Sequence, residues 1–251
     1  MSDALYSHMA LPAACALNAR IPKKTLIANA DLTAADKRAI SDDIEAIVWR
    51  FALKPDTILV RRYVDDEREY LEVAILEATL RSRRRCRRMA EVIQRAIPYP
   101  VLLVLKHEDG VALSAAHKRF SRAERGAIVA EDILLTDWIE EDAPSEAQRM
   151  FLESLDSSTL PSTDLLAFYA GVVERLVALA AARLSGEYRL GSAPDGGQDR
   201  RERLMECEAV ESEIVERRAA IKTESQFNRK VELNTQIKQL EERLAALANR
   251  L

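Results

Sequence analysis

Glycine and aromatic residues are scarce in this chain, with seven glycines among 251 residues and 5 % Phe, Trp and Tyr. Together with 48 % hydrophobic and 31 % charged residues, that scarcity is the balance of a soluble, largely helical protein rather than a disordered or disulfide-built one. Cysteine is rarer still. Cys15, Cys86 and Cys207 are far apart, with no CxxC pair and no histidine ladder, which argues against a disulfide framework and a zinc site and fits a reducing cytoplasm. The first residues lack the basic start of a signal peptide and are interrupted by His8 and Pro12. No uninterrupted run reaches the roughly 18 apolar residues of a membrane span, so no membrane contact is expected. A net charge of −4 gives no overall bias toward nucleic acid.

Familiar catalytic signatures are missing as well. There is no phosphate-binding GxxxxGK loop, no GxGxxG turn and no GxSxG elbow. No lysine lies between Lys54 and Lys106, and Glu69, Glu72 and Glu77 are followed at the second position by Leu71, Ala74 and Thr79. The Asp/Glu-x-Lys pair of restriction-type nucleases is therefore absent. His8, His107 and His117 are widely separated, with no nucleophile placed beside them. No cofactor or metal site is expected.

What is present reads first as an α+β module over 1–142. Leu11-Pro12 and the stretch Arg20–Lys24 suggest an extended lead-in, with Lys23 and Lys24 forming either a small basic site or a solvated turn. Thr33 and Asp36 resemble a capping box, and Ile40, Ile44, Ile47 and Phe51 recur at helical spacing, predicting one helix of about five turns. Thr57–Val64 and Tyr70–Leu76 read as a hairpin around Asp65-Asp66-Glu67, and 82–97 as a helix. Val101–Lys106 and Val111–Ala116 form strands about an Asp109-Gly110 turn, followed by a strand over Ile133–Ile139. The sum is a small mixed sheet with flanking helices. A helical segment follows over 143–184, with helices at Ala147–Leu155 and, after Ser162 as N-cap, Leu165–Leu184. A glycine-rich linker is expected at 185–198 and a charged arm at 199–251.

The arm carries a coiled-coil seam in which Leu233, Ile237, Leu240, Leu244, Leu247 and Leu251 recur at alternating spacings of three and four. An earlier frame, Leu204, Cys207, Ile214 and Ile221, is out of phase with it. The break falls at 222–234, KTESQFNRKVELN. Thr223 and Gln226 can cap a second helix and make the arm a helical hairpin; one continuous helix is the alternative. Gln226, Asn228, Lys230 and Asn234, interleaved with Phe227, Val231 and Leu233, form either a polar recognition device or an exposed turn.

The sharpest charge feature is Arg81, Arg83, Arg84, Arg85, Arg87 and Arg88, six arginines near the start of a predicted helix, where the macrodipole disfavours them. They serve either phosphate contact or an internal ion-pair network with Asp65, Asp66, Glu67 and Glu69, or with Glu140, Glu141 and Asp142.

RIPKK at 20–24, Ile97-Pro98-Tyr99 at a strand start, and above all QFNRKVELN at 226–234 with its leucine seam resemble the bacterial family called domain of unknown function 4391. The resemblance spans most of the chain. It implies company rather than chemistry, since members are often encoded beside helicases and DNA methyltransferases in neighbourhoods of restriction and phage defence. The resulting expectation is a non-catalytic cytoplasmic accessory or scaffolding subunit. Its arm, residues Gln226, Phe227, Asn228, Lys230, Val231, Leu233, Asn234, Ile237, Leu240, Leu244 and Leu247, would dock to a helicase or methyltransferase, or to a second copy as a homodimer. The competing expectations are a divergent metal-dependent nuclease using Asp65, Asp66 and Glu72, and a nucleic-acid adaptor that binds DNA through the arginine cluster.

Overall fold

The computed structural model describes residues 3–28, 32–124, 126–140, 142–191 and 198–251. The chain divides into two compact units, Met1–Leu176 and Val177–Leu251. The first begins with α1 (Asp3–Met9), β1 (Ala16–Arg20), α2 (Lys23–Ala28), α3 (Ala34–Asp43), β2 (Ile44–Leu53) and the single turn α4 (Pro55–Ile58). After the short pair β3 (Tyr63–Val64) and β4 (Glu69–Tyr70) come β5 (Val73–Leu80), α5 (Cys86–Ala96), β6 (Val101–His107), β7 (Gly110–Phe120), β8 (Ile128–Leu135) and β9 (Ile139–Glu140). The helices α6 (Glu146–Ser154) and α7 (Leu165–Ser185) follow, and the second unit continues through α8 (Gln198–Thr223) and α9 (Phe227–Ala248).

The fold is α+β, built on a seven-stranded sheet of order β1-β2-β5-β6-β7-β8 with β9 also paired to β7. Among the described residues only β5 and β6 run parallel, joined by α5 as crossover, and the other pairs are antiparallel. Alternate residues of the central strands, Ala74, Leu76, Ala78 and Leu80 on β5 and Val101, Leu103 and Leu105 on β6, pack with Ile40, Met89 and Ile93 of α3 and α5. The other face receives Tyr6 of α1, which packs on Phe51. It also receives Tyr169 of α7, whose hydroxyl accepts from Ala116 N–H at 3.0 Å and donates toward Val101 O at 2.8 Å. The central strands are thus buried on both sides, which explains their continuous apolar sequence.

Several expectations are overturned here. The lead-in is extended at Pro12, with φ −55 and ψ 140, and at Arg20, which ends β1, but Lys23 and Lys24 open α2 instead. The predicted five-turn helix is α3 followed directly by β2. Thr33 does cap α3, accepting from Asp36 N–H at 3.2 Å, but bulges at 44–46 and 49–51 shift the pairing of β2. Ile44 and Ile47 therefore reach the same core three residues apart, a spacing a bulge-free strand would place on opposite faces. The hairpin around Asp65 exists only as the β3–β4 pair, while β5 leaves it for the main sheet. Residues 133–139 divide between β8 and β9. Asp164, not Ser162, caps α7, accepting from Ala167 N–H at 2.9 Å.

Helix α7 is long and apolar enough to cross a membrane by length and composition alone, although 67 % of its most apolar window is buried. It contains Glu174 and Arg175 near its middle. Gly186 ends it at φ +82, the left-handed geometry that favours glycine after a helix. Part of the expected linker, 192–197, lies outside the described residues.

A recurrent device satisfies helix C-termini with cations, whose charge complements the negative end of the macrodipole. Lys23 donates to Ser41 O at 3.0 Å and Ile44 O at 2.7 Å, closing α3. Lys118 donates to Gln94 O in the last turn of α5. Arg175 donates to Ser154 O at the end of α6, 2.6 Å away. The basic site considered at Lys23 and Lys24 is therefore, for Lys23, a structural cap.

Candidate functional site

In the second unit α8 and α9 run antiparallel, so the arm is a hairpin. Val210, Ile214 and Ile237 are buried between them, with Ile221, Leu240, Leu244 and Leu247 packed against that cluster, and Leu233 is buried as well. Arg218 pairs with Glu241 across the helices at 2.7 Å, and Arg203 donates to Arg250 O at 2.6 Å. The seam is therefore engaged inside the chain. The turn is made by Glu224, whose carboxylate accepts from Ser225 and Gln226 N–H at 2.7 and 2.9 Å. These bonds hold its pKa below the usual range. The capping box expected from Thr223 does not form, because the Thr223 hydroxyl donates back to Ala220 O.

The polar residues of the break point outward. Gln226, Asn228 and Asn234 are exposed and Lys230 is half-buried, and Asn234 bonds within its own helix to Lys230 O. Beside them Phe227 is 76 % and Val231 48 % exposed, with Val215 of α8 also exposed. The segment thus combines exposed polar residues with apolar ones that the seam does not cover.

The arginine cluster sits on a short turn capped by Ser82 and on the start of α5. Half of it is committed to neighbours. Arg83 grips Glu140 through both nitrogens and lies 4.7 Å over the Trp138 ring. Arg85 pairs with Asp43 at 3.0 Å, and Arg88 pairs with Asp36 and Glu91. The Thr33 hydroxyl first, and Arg88 after it, hold the Asp36 carboxyl below its ordinary range. Arg83 does the same to Glu140. Arg81, Arg84 and Arg87 are exposed and have no side-chain partner among the described residues. The internal network runs to Asp36, Asp43, Glu91 and Glu140, of which the sequence pointed to Glu140 alone.

The acids of the hairpin serve local structure. Asp65 accepts from Tyr63 and from Glu67 and Arg68 N–H, which lowers its pKa, the tyrosine contributing most. Glu72 faces Lys54 at 3.5 Å. Among the described residues no group of three His, Cys, Asp or Glu side chains could hold a metal ion.

Two polar clusters inside the sheet gave no signal in the sequence. Glu77 on β5 accepts from Tyr6 at 2.9 Å and from Arg50 at 3.3 Å; burial first, then the Glu77 charge, raises the tyrosine pKa. Lys118 on β7 is 2 % exposed, and burial pushes its pKa down to about 7. Its own N–H donates to Tyr70, whose hydroxyl lies 2.8 Å from His117 Nδ1. The expected strand stops at Ala116, two residues short of Lys118, whereas β7 runs on to Phe120.

The sequence model of one family, described as Domain of unknown function (DUF4391), matches residues 9–244. This chain is a DUF4391 protein. No curated protein and no solved structure matches it. In this DUF4391 member the segments that carried the resemblance have distinct places. RIPKK ends β1 and supplies the Lys23 cap of α3, whereas QFNRKVELN opens α9 at the turn of the hairpin.

Proposed function

We propose that this protein is a non-catalytic accessory subunit of a bacterial anti-phage defence assembly, working in the cytoplasm and docking to a helicase or methyltransferase through the turn end of its α8–α9 hairpin. The observation that carries the reading is the split within α9. Leu233 and Ile237 are buried, Ile237 against Val210 and Ile214 of α8, while Phe227 and Val231, six and two residues before Leu233, are 76 % and 48 % exposed. Exposed aromatic and branched side chains ringed by polar ones have the make-up of a protein-docking patch, in which one or two anchors supply most of the affinity. The neighbourhoods implied by family membership supply the class of partner.

The test is co-purification of the full chain with a helicase or methyltransferase encoded beside it, using wild type and a Phe227→Asp, Val231→Asp double variant. Both side chains are exposed, so the variant should unfold at the wild-type temperature. Loss of the complex in the variant is the expected outcome. A complex of unchanged strength would refute this docking site, and a homodimer abolished by the same pair would redirect it to a second copy of the chain.

A further inference from the structure

We infer that the outward face shared by α3 and α5 binds the phosphate backbone of duplex nucleic acid, independently of the docking site proposed above. Both helices cover the same side of the sheet and are tied to one another by Arg88–Asp36 and to the adjoining turn by Arg85–Asp43. Once those pairs are set aside, Lys37 and Arg38 of α3, Arg87 and Arg95 of α5, and Arg81 and Arg84 beside them are exposed. None of the six has a side-chain partner among the described residues. The acids of the same region are nearly all spent. Asp36, Asp43 and Glu91 face Arg88 or Arg85, leaving Asp42 as the exposed acid of α3 without a salt bridge among the described residues. A chain of net charge −4 therefore concentrates uncompensated guanidinium groups on one rigid surface.

Three features select the ligand. Arginine dominates, and its planar fork matches phosphate oxygens better than a point charge does. None of the large exposed apolar side chains of the described residues lies on α3 or α5, so the face has nothing to insert into a lipid surface. The same absence removes the aromatic platform on which unstacked bases of a single strand would rest. Arg87 and Arg95 are eight residues apart, about 12 Å along the helix at 1.5 Å per residue. Phosphates of one duplex strand recur at about 3.4 Å of axis, so α5 alone can span about three of them. With no side chain set to read base edges, the contact would be indifferent to sequence.

The experiment measures binding of the full-length protein to a short mixed-sequence duplex by fluorescence anisotropy, from about 50 to about 200 mM salt. If the face neutralises about five phosphates, log K should fall against log salt with a slope near −4 to −5. Replacing Lys37, Arg38, Arg84 and Arg87 together with Gln should flatten that slope to about −1 and weaken low-salt binding at least tenfold, with thermal unfolding unchanged. A second variant, Lys37→Gln with Arg38→Gln, should lose about two units of slope. No duplex binding at low salt, an unaltered slope in the fourfold variant, or no effect of the α3 pair would overturn the assignment. So would tighter binding to the separated strand, to polyglutamate-displaceable peptide sites or to phosphatidylserine vesicles than to the duplex.

Discussion

Replacing Lys118 with Met should stabilise the protein, and by an amount that depends on pH in a way a packing effect would not. The lysine is buried, donates to Gln94 O, and has no acidic partner among the described residues. Its folded pKa of about 7, against an ordinary 10.5, corresponds at about 1.4 kcal/mol per unit to a ceiling of about 5 kcal/mol for keeping the ammonium buried. Methionine fills a similar volume without charge, but it leaves the helix-end carbonyl of Gln94 unpaired, at about 1–2 kcal/mol. The net expectation below pH 7 is a gain of about 2–4 kcal/mol. The sign across pH follows from proton counts. Between about pH 7 and 10.5 the unfolded lysine holds a proton that the folded one has lost, so wild-type stability rises with pH through that window and the advantage of Met shrinks. Below pH 7 both states are charged and the difference is constant. Urea unfolding of both proteins at several values from about pH 6 to about pH 9 would measure this by the fluorescence of Trp49 and Trp138. The buried Cys86, pushed up to about 11, is common to both proteins and cancels in the difference. A gap that does not narrow with pH, or a Met variant less stable than wild type at pH 6, would refute the argument.

Three further substitutions test the fold that holds these sites. Gly110→Ala would place a methyl 2.5 Å from Arg83 Nη2 and 3.0 Å from Glu140; forcing that pair apart should cost about 1–3 kcal/mol in chemical denaturation, and removing the Arg83 side chain in the same protein should relieve most of it. Thr33→Ala should cost about 1 kcal/mol through the lost N-cap. Because Thr33 is also the main cause of the depressed Asp36 pKa, stability that is present above pH 3.8 and lost as pH falls through the folded value should be smaller in the variant, which is readable as a shallower acid unfolding limb. Tyr169→Phe removes the partner of Ala116 N–H and Val101 O and should cost about 1–3 kcal/mol, seen as a lower midpoint with an unchanged slope.

The elements legible in the sequence are those whose signals are local. Thr33 as the cap of α3 and the Asp109-Gly110 turn between β6 and β7 announce themselves within a few residues, although Glu108 takes the left-handed conformation, at φ +52, and Gly110 opens the strand. What failed depended on partners far along the chain. β2 mimics a helix because two bulges, set by its neighbour β5, break its two-residue period. β1 is a short, exposed edge strand with no apolar alternation to betray it. In the arm, the out-of-phase seams pointed correctly to a break. The turn chemistry was misread because Glu224 and not Thr223 supplies the acceptor. The arginine cluster was visible at once, but its division into committed and free members was not, since Asp36, Asp43 and Glu140 are remote in sequence.

That division changes what the charge of this protein means. Counted along the sequence, the run from Arg81 to Arg88 looks like one basic tract. In three dimensions Arg83, Arg85 and Arg88 tie the start of α5 to β9 and α3, and Lys23, Lys118 and Arg175 close helix ends. Without those pairs the arginines would oppose the positive end of the α5 macrodipole with no compensation. The acids that neutralise them sit beneath or beside the helix, and this leaves the outward rows free. A net negative chain repels a polyanion at long range, but at physiological ionic strength charges more than about 8 Å away are largely screened. Only the contact surface then decides the sign of the interaction, and on the face of α3 and α5 that sign is positive.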